Sequence, residues 1–418
     1  MATETSVLTF VSVPGIAYRG DWTFLQLALG YILGRILVSI WLLPLYYKRP
    51  IQSIYEVLGE RFGCGIQRTA SLVFLVTRIL ADGVRFLATA VVVQVVTGWS
   101  IPAAVAIVGL VTIVYTLAGG IRTIIWMDSF QFGLYLSGAI ISIIAILGVL
   151  PGAGVMIQEQ LLNAGKMQIF HWGSDIWTNP WTLVSAVLGG MLLSFASHGT
   201  DYMMVQRVLS CGSLSGARKA MIGSGLFVFL QFSVFLFVGS LIYLLLPDAN
   251  LVKDREFAYF IVNHLPTGLR GILLAGVLAA AMSTLSSSIN SLASSTCADW
   301  LKGAVDVKRA RLISLGWAAV LITIALLFDE SDSAIVVVGL KIASYTYGGL
   351  LGLFILSQLP RKYRSTSLII GLIGSVCTVF IVQQLGMAWT WFIGLAVIIN
   401  LSLTHLVDIL VDRFKTVS

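Results

Sequence analysis

Hydroxyl oxygens crowd an apolar stretch of membrane length, Gly271 to Trp300, where Ser283, Thr284, Ser286, Ser287, Ser288, Ser291, Ser294 and Ser295 follow Ala280 and flank Asn290. In hydrocarbon each unpaired polar group costs several kcal/mol, so these hydroxyls must meet protein, water or an ion. Ala280, Ser283, Thr284, Ser287, Ser291 and Ser294 recur at steps of three or four, which places them on one face of a helix. Two chemistries fit that seam. Small residues let membrane helices approach closely, and Ser and Thr bond back to their own helix carbonyls. Alternatively, uncharged hydroxyl oxygens and a freed carbonyl coordinate a hard monovalent cation such as sodium.

Charged side chains inside apolar runs are the second set of candidates. Asp128 lies a few residues into a long apolar run, where a carboxylate serves as a cation ligand or gate, or else as a cap paired with Arg122. Arg78, Asp82 and Arg85 are spaced four and three apart on one helix face, so the acid neutralises one base and leaves a positive charge over. Lys341 adds another. A cavity lined by such cations favours a carboxylate-bearing solute; the competing reading for Arg85 and Lys341 is snorkelling or structural pairing. Arg35, beside the Gly30 and Gly34 packing pair, reads as structural. Ser194, Ser197 and His198 end another span, where they can bond a polar solute, pack, or cap the helix before Gly199.

The elements that must hold these groups are membrane helices. Of 418 residues, 58% are hydrophobic and only 11% charged, with a mean hydropathy of +0.94. We expect eleven full spans, at Trp22 to Tyr46, Ile66 to Val96, Ile101 to Ala118, Ile121 to Leu150, Trp181 to Gly199, Ala220 to Leu246, Gly271 to Ala298, Ala310 to Phe328, Ala334 to Gln358, Leu368 to Leu385 and Thr390 to Leu410. A partial span from Val7 to Ala17 precedes them and ends at Pro14-Gly15. Interfacial helices are expected over Ile51 to Phe62, Gly154 to Leu162 and Arg255 to His264. Nothing divides the chain, so it reads as a single transmembrane domain.

Placing connections on alternate sides gathers Lys48, Arg49, Arg61, Arg68, Arg122, Arg207, Arg218, Lys219, Lys302, Lys308, Arg309, Arg311, Arg361, Lys362, Arg364, Arg413 and Lys415 on one face. Arg19, Lys166, Lys253, Arg255 and Arg270 lie on the other. The first face is expected to be cytoplasmic, with the C-terminus there and the protein in the plasma membrane. This asymmetry accounts for the pI near 9.3, with no need of a nucleic-acid partner. The cysteines suggest no disulfide framework, the histidines show no metal-ligand spacing, and no catalytic constellation is visible.

Three stretches resemble the sodium/solute symporter family of proline, glucose, iodide, pantothenate and sialic acid carriers. They are Ser-Val-Leu-Thr-Phe-Val-Ser-Val-Pro-Gly from Ser6, the Gly-Gly turn followed by Trp126, Asp128 and Gln131, and Gly271 to Ser291; Gly199-Thr200-Asp201 with Gln206-Arg207 adds a fourth piece. The resemblance implies a core of two inverted five-helix repeats, here 1–150 and 181–358, with two peripheral helices over 364–418. It also implies that the family's N-terminal helix and the first half of the first core helix are missing from this chain.

Residue by residue, it places a first sodium on the carbonyls of Ala2, Thr5 and Ala280 and the hydroxyls of Ser283 and Thr284. A second would sit on Asp128, Ser283, Ser286 and Ser287. Glu4 departs from most relatives and would serve sodium, a proton or a cationic solute group, or be a water-exposed end. Solute or gate contacts would come from Glu4, Arg78, Asp82, Arg85, Ser194, Ser197, His198 and Lys341, with Gly119-Gly120 and Gly348-Gly349 as hinges. The activity implied is sodium-coupled symport of a small polar organic solute by alternating access, with sodium the coupling ion and no cofactor. The alternative is a membrane-embedded solute sensor that keeps the same fold.

Overall fold

The structure, a computed structural model, describes every residue except 1–6, 49–50, 119–120, 153, 248, 250, 302–304, 329–332 and 418, and leaves undescribed the side chains of 115, 117–118, 121–129, 131, 280, 283 and 414–417. Twelve principal helices follow in order: α1 Val7–Arg19, α2 Phe24–Tyr46, α3 Cys64–Thr97, α4 Ile101–Ala118, α5 Ile121–Val149, α6 Leu183–Thr200, α7 Leu214–Leu245, α8 Thr267–Trp300, α9 Val307–Leu327, α10 Ile335–Gln358, α11 Ser365–Gln384 and α12 Phe392–Val417. Among the described residues, 10 helices are long and apolar enough to cross a membrane, and the chain is a multi-pass membrane protein. The expected interfacial helices appear as Glu56–Phe62, Gly154–Asn163 and Glu256–His264.

One expectation needs correction. The first helix does not stop at Pro14-Gly15 but runs on to Arg19. Proline lacks only its own N–H, and the flanking turns are held by packing on α7: a Cβ on Gly239 would sit 2.0 Å from the Pro14 carbonyl oxygen, so only glycine fits that crossing. After α6, the chain breaks at Asp201 and resumes as a short helix, Tyr202–Leu209, which hydropathy alone does not reveal. Asp201 sits in extended conformation and its carboxylate accepts from Met204 N at 3.1 Å, an N-cap that restarts the helix. Within α2, one π-turn over Val38–Leu42 precedes Pro44, whose missing N–H cannot continue the regular ladder.

The packing is reciprocal. Helix α1 lies on α7 and α2 on α6; α3 meets α10 and α5 meets α8; α3 meets α9 and α4 meets α8; α2 with α7, α3 with α8 and α4 with α9 pair across the middle. These contacts between helix i and helix j + 5 come in mirrored pairs, the pattern of two inverted five-helix units. The α2–α6 seam is close from both sides: a Cβ on Gly30 would meet Val187 O at 2.2 Å and one on Gly190 would meet Leu27 O at 2.3 Å. Helices α11 and α12 pack on each other and on α10. Gly348 and Gly349 face this pair, with prospective Cβ atoms 2.5 Å from Ala396 and 2.6 Å from Leu372, so both allow close packing.

Candidate functional site

The side chains of Arg78, Arg85, Ser194, Ser197 and His198 converge on one cavity of about 870 Å³, its open mouth included. Helix α1 contributes Leu8 and Thr9, α2 contributes Phe24 and Tyr31, and α10 presents Val336, Gly339, Leu340, Ala343 and Tyr347. Those α10 positions keep to one helical stripe, and Lys341 is off its phase; it does not line the cavity, which corrects its place among the solute contacts.

Four charges cluster beside this cavity: Arg78 and Arg85 line it, whereas Asp82, expected among the solute contacts, and Asp201 pair with them without lining it. Arg78 Nε donates to Asp82 Oδ2 at 2.8 Å and its Nη1 to Asp201 Oδ2 at 3.2 Å; Arg85 donates to Asp82 Oδ1. Tyr347 donates its hydroxyl to Asp201 Oδ2 at 2.5 Å. Both acids are fully buried. The sequence reading left one positive charge over on α3, and the structure corrects it: Asp201, from the break after α6, supplies the second acid, so two guanidiniums face two carboxylates. Polarity toward the cavity survives in Arg85, which is 17% exposed at the side chain and whose Nε has no hydrogen-bond partner among the described residues.

The helix-end candidates divide. Ser194 donates to Tyr31 O at 3.0 Å across the α2–α6 seam. His198 Nδ1 lies 3.1 Å from Ser194 O and 3.0 Å from Ser197 Oγ, so one ring nitrogen is engaged by its own helix while the residue lines the cavity. Arg35 is buried and donates to Ser224 at 2.6 Å, a structural anchor.

Much of both expected sodium sites lies outside the described residues: Ala2, Glu4 and Thr5 entirely, and Asp128, Ala280 and Ser283 in their side chains. Of the rest, Thr284, Ser286 and Ser287 are buried on α8. Ser286 Oγ has no hydrogen-bond partner among the described residues, whereas Ser287 Oγ accepts from Arg207 Nη2 at 2.6 Å. A guanidinium therefore touches a hydroxyl of the second set. Farther along α8, Ser295 bonds Asp299 Oδ2 at 2.9 Å and Ser71 at 3.0 Å, and Gln67 donates to Asp299 Oδ1 at 2.9 Å; here the seam is a packing network.

Closures of different chemistry flank the cavity. At the lysine- and arginine-rich face, tyrosines bond carbonyls: Tyr46 to Gly199 O at 2.5 Å, Tyr55 to Thr200 O at 3.0 Å and Tyr202 to Gln52 O at 3.1 Å. Burial pushes the Tyr55 and Tyr202 hydroxyls further above their ordinary range. At the opposite face Phe24 is shared with a second cavity of about 720 Å³ that Asp21 and Trp181 also line. Beside it the closure is ionic. Arg19 Nε donates to Glu256 Oε1 at 2.6 Å, and Asp254, held at a φ of 60°, accepts from Ile335 N at 3.1 Å. Ser12 on α1 bonds Asp254 and also accepts from Val336 N at 3.2 Å, joining α1 to α10.

A family model, the sodium:solute symporter family, matches residues 1–374, and the chain belongs to that family. It is 29% identical over 401 residues to a putative sodium-dependent multivitamin transporter of Drosophila melanogaster, covering 91% of this chain and 66% of that protein. It is 25% identical to the Homo sapiens sodium/iodide cotransporter, covering 89% and 60%. To a sodium/sialic acid symporter of Aliivibrio fischeri it is 26% identical, covering 92% and 78%. The chain thus spans from 60% to 66% of the length of the first two of these relatives. Its fold matches a solved sodium-coupled sialic acid symporter, in a substrate-bound outward-open state, with a TM-score of 0.85 at 24% identity over 98% of this chain and 88% of that one. A nucleobase-cation-symport-1 family transporter matches with a TM-score of 0.63 at 13% identity, over 96% and 89%.

Proposed function

We propose that this chain is the core of a sodium-coupled symporter that carries a small polar organic solute bearing a carboxylate. The observation that carries the reading is the cavity where α1, α2, α3, α6 and α10 meet, with the part-exposed Arg85 guanidinium on its wall. Because Asp82 and Asp201 balance Arg78 and Arg85, the pocket does not attract anions by net charge; Arg85 offers a directed N–H donor, whose charge-assisted hydrogen bond to a carboxylate is stronger than a neutral one. Relatives named for sialic acid and for monocarboxylates support an acidic solute.

Sodium would be held by the buried hydroxyls of α8, Thr284 and Ser286, together with Ala2, Thr5, Asp128, Ala280 and Ser283. Ion binding completes the solute pocket, and the two repeats, 1–150 and 181–358, rock about it. The lysine- and arginine-rich face is cytoplasmic by charge bias, with the C-terminus there and the protein in the plasma membrane. The tyrosine closure is then internal and the ionic closure external. Uptake of labelled carboxylates into proteoliposomes tests this. Accumulation under an inward sodium gradient, absent with potassium or choline outside, is the expected result; no accumulation of any acidic solute across a broad panel would overturn it.

A further inference from the structure

We propose that Glu256, at the closure facing away from the lysine- and arginine-rich side, is a proton-binding site that locks that closure when occupied. The side chain is fully buried. The carboxylate takes the Arg19 guanidinium at Oε1 and is helped by its own backbone N–H, but Oε2 is buried with no hydrogen-bond partner among the described residues. That oxygen faces α1, lying 2.7 Å from where a Cβ on Gly15 would stand, so the crossing has room for the carboxyl only because residue 15 is glycine. A buried carboxylate oxygen without a donor lacks the compensation a charge needs, and a proton supplies it by making the group neutral.

The surroundings favour the same outcome. Asp254 stands beside Glu256 as a second buried acid. The cations facing the two acids are Arg19 from α1, itself 42% exposed, and Lys253 from the same loop. Helix α10 offers a backbone N–H, and α3 offers Gln94, which binds Arg255 at 2.6 Å. Burial pushes the carboxyls of both Asp254 and Glu256 above their ordinary range. With the closure open and hydrated, both acids return toward ordinary values, so the closed form binds protons more tightly and gains stability as pH falls through the raised range.

The test uses the full chain in lipid nanodiscs and depends neither on transport nor on a known solute. Amide hydrogen exchange of Glu256–His264 is followed from about pH 7.5 to about pH 5.5, corrected for intrinsic rates, with Glu56–Phe62 as the internal reference. Protection of the first helix should rise severalfold on acidification, by at most about tenfold for each proton taken up per pH step of one, while the second stays level. In Glu256→Gln the first helix should show high protection already at the upper pH and lose most of the response. Flat or falling protection in the wild-type chain, a parallel change in both helices, or an unaltered response in Glu256→Gln would each overturn the proposal. The wild-type comparison of two helices decides the matter even if the variant does not fold.

Discussion

The helix Glu56–Phe62 follows α2 as Glu256–His264 follows α7, so the two occupy matching places in the inverted units, yet they close the molecule by different means. At the tyrosine end, neutral hydroxyls from Tyr46, Tyr55 and Tyr202 reach backbone carbonyls. At the ionic end, Arg19, Asp254 and Glu256 do the closing with charge. Topology therefore fixes where a fold of this kind is closed, and local chemistry fixes what each closure responds to. Hydroxyl-to-carbonyl bonds are indifferent to protons over the physiological range; buried carboxyls are not.

The comparison breaks first, and hardest, at Asp201, which ties the tyrosine closure to the cavity. Asp201→Ala leaves Tyr347 without its acceptor and Arg78 with Asp82 alone, and removes the cap of the short helix. We expect a loss of about 3–5 kcal/mol, read as a large drop in unfolding temperature, with Asp201→Asn milder because its one amide oxygen keeps one of the two acceptor roles, toward Met204 N or toward Tyr347. Between the closures, Arg85→Gln removes the donor facing the cavity. Apparent affinity for an acidic solute should fall by the about 1.5–3 kcal/mol of a charged hydrogen bond, roughly tenfold or more, while the sodium dependence of binding persists.

Smaller effects separate the two ends. Tyr55→Phe removes one hydroxyl bond and should cost about 1 kcal/mol, equal at acid and neutral pH by thermal unfolding. Arg19→Gln leaves the fully buried Glu256 carboxylate without its cation, although the guanidinium it loses is 42% exposed, so a measurable loss of stability is expected at neutral pH, lessened by salt. That cost should shrink on acidification, as a protonated Glu256 no longer needs the cation. Equal pH dependence of Tyr55→Phe and Arg19→Gln would erase the difference between the closures.

Hydropathy and charge placed the long helices within a few residues, because burial in lipid writes itself into every position of a span. Helical periodicity alone puts Arg78, Asp82 and Arg85 together. It is silent on Asp201, which meets Arg78 across 123 residues of sequence, and on Tyr347, whose value lies in that same distant carboxylate. Lys341 attracted notice as a charge in an apolar run, but its angular position on α10 takes it off the cavity stripe. Glu256 had a subtler signal, an acid beside a glycine-lined crossing, which no spacing within its own helix could show. Hydroxyls on α8 stayed ambiguous for the same reason: Ser287 and Ser295 are told apart only by their partners, Arg207 and Asp299.

The most direct test of the account is the binding of an acidic solute to the purified chain in sodium and in choline at equal ionic strength. If sodium on α8 completes the pocket beside Arg85, affinity should rise in sodium by about 5–150-fold, the usual range of coupling between two ligands. Equal affinity in the two salts would contradict it.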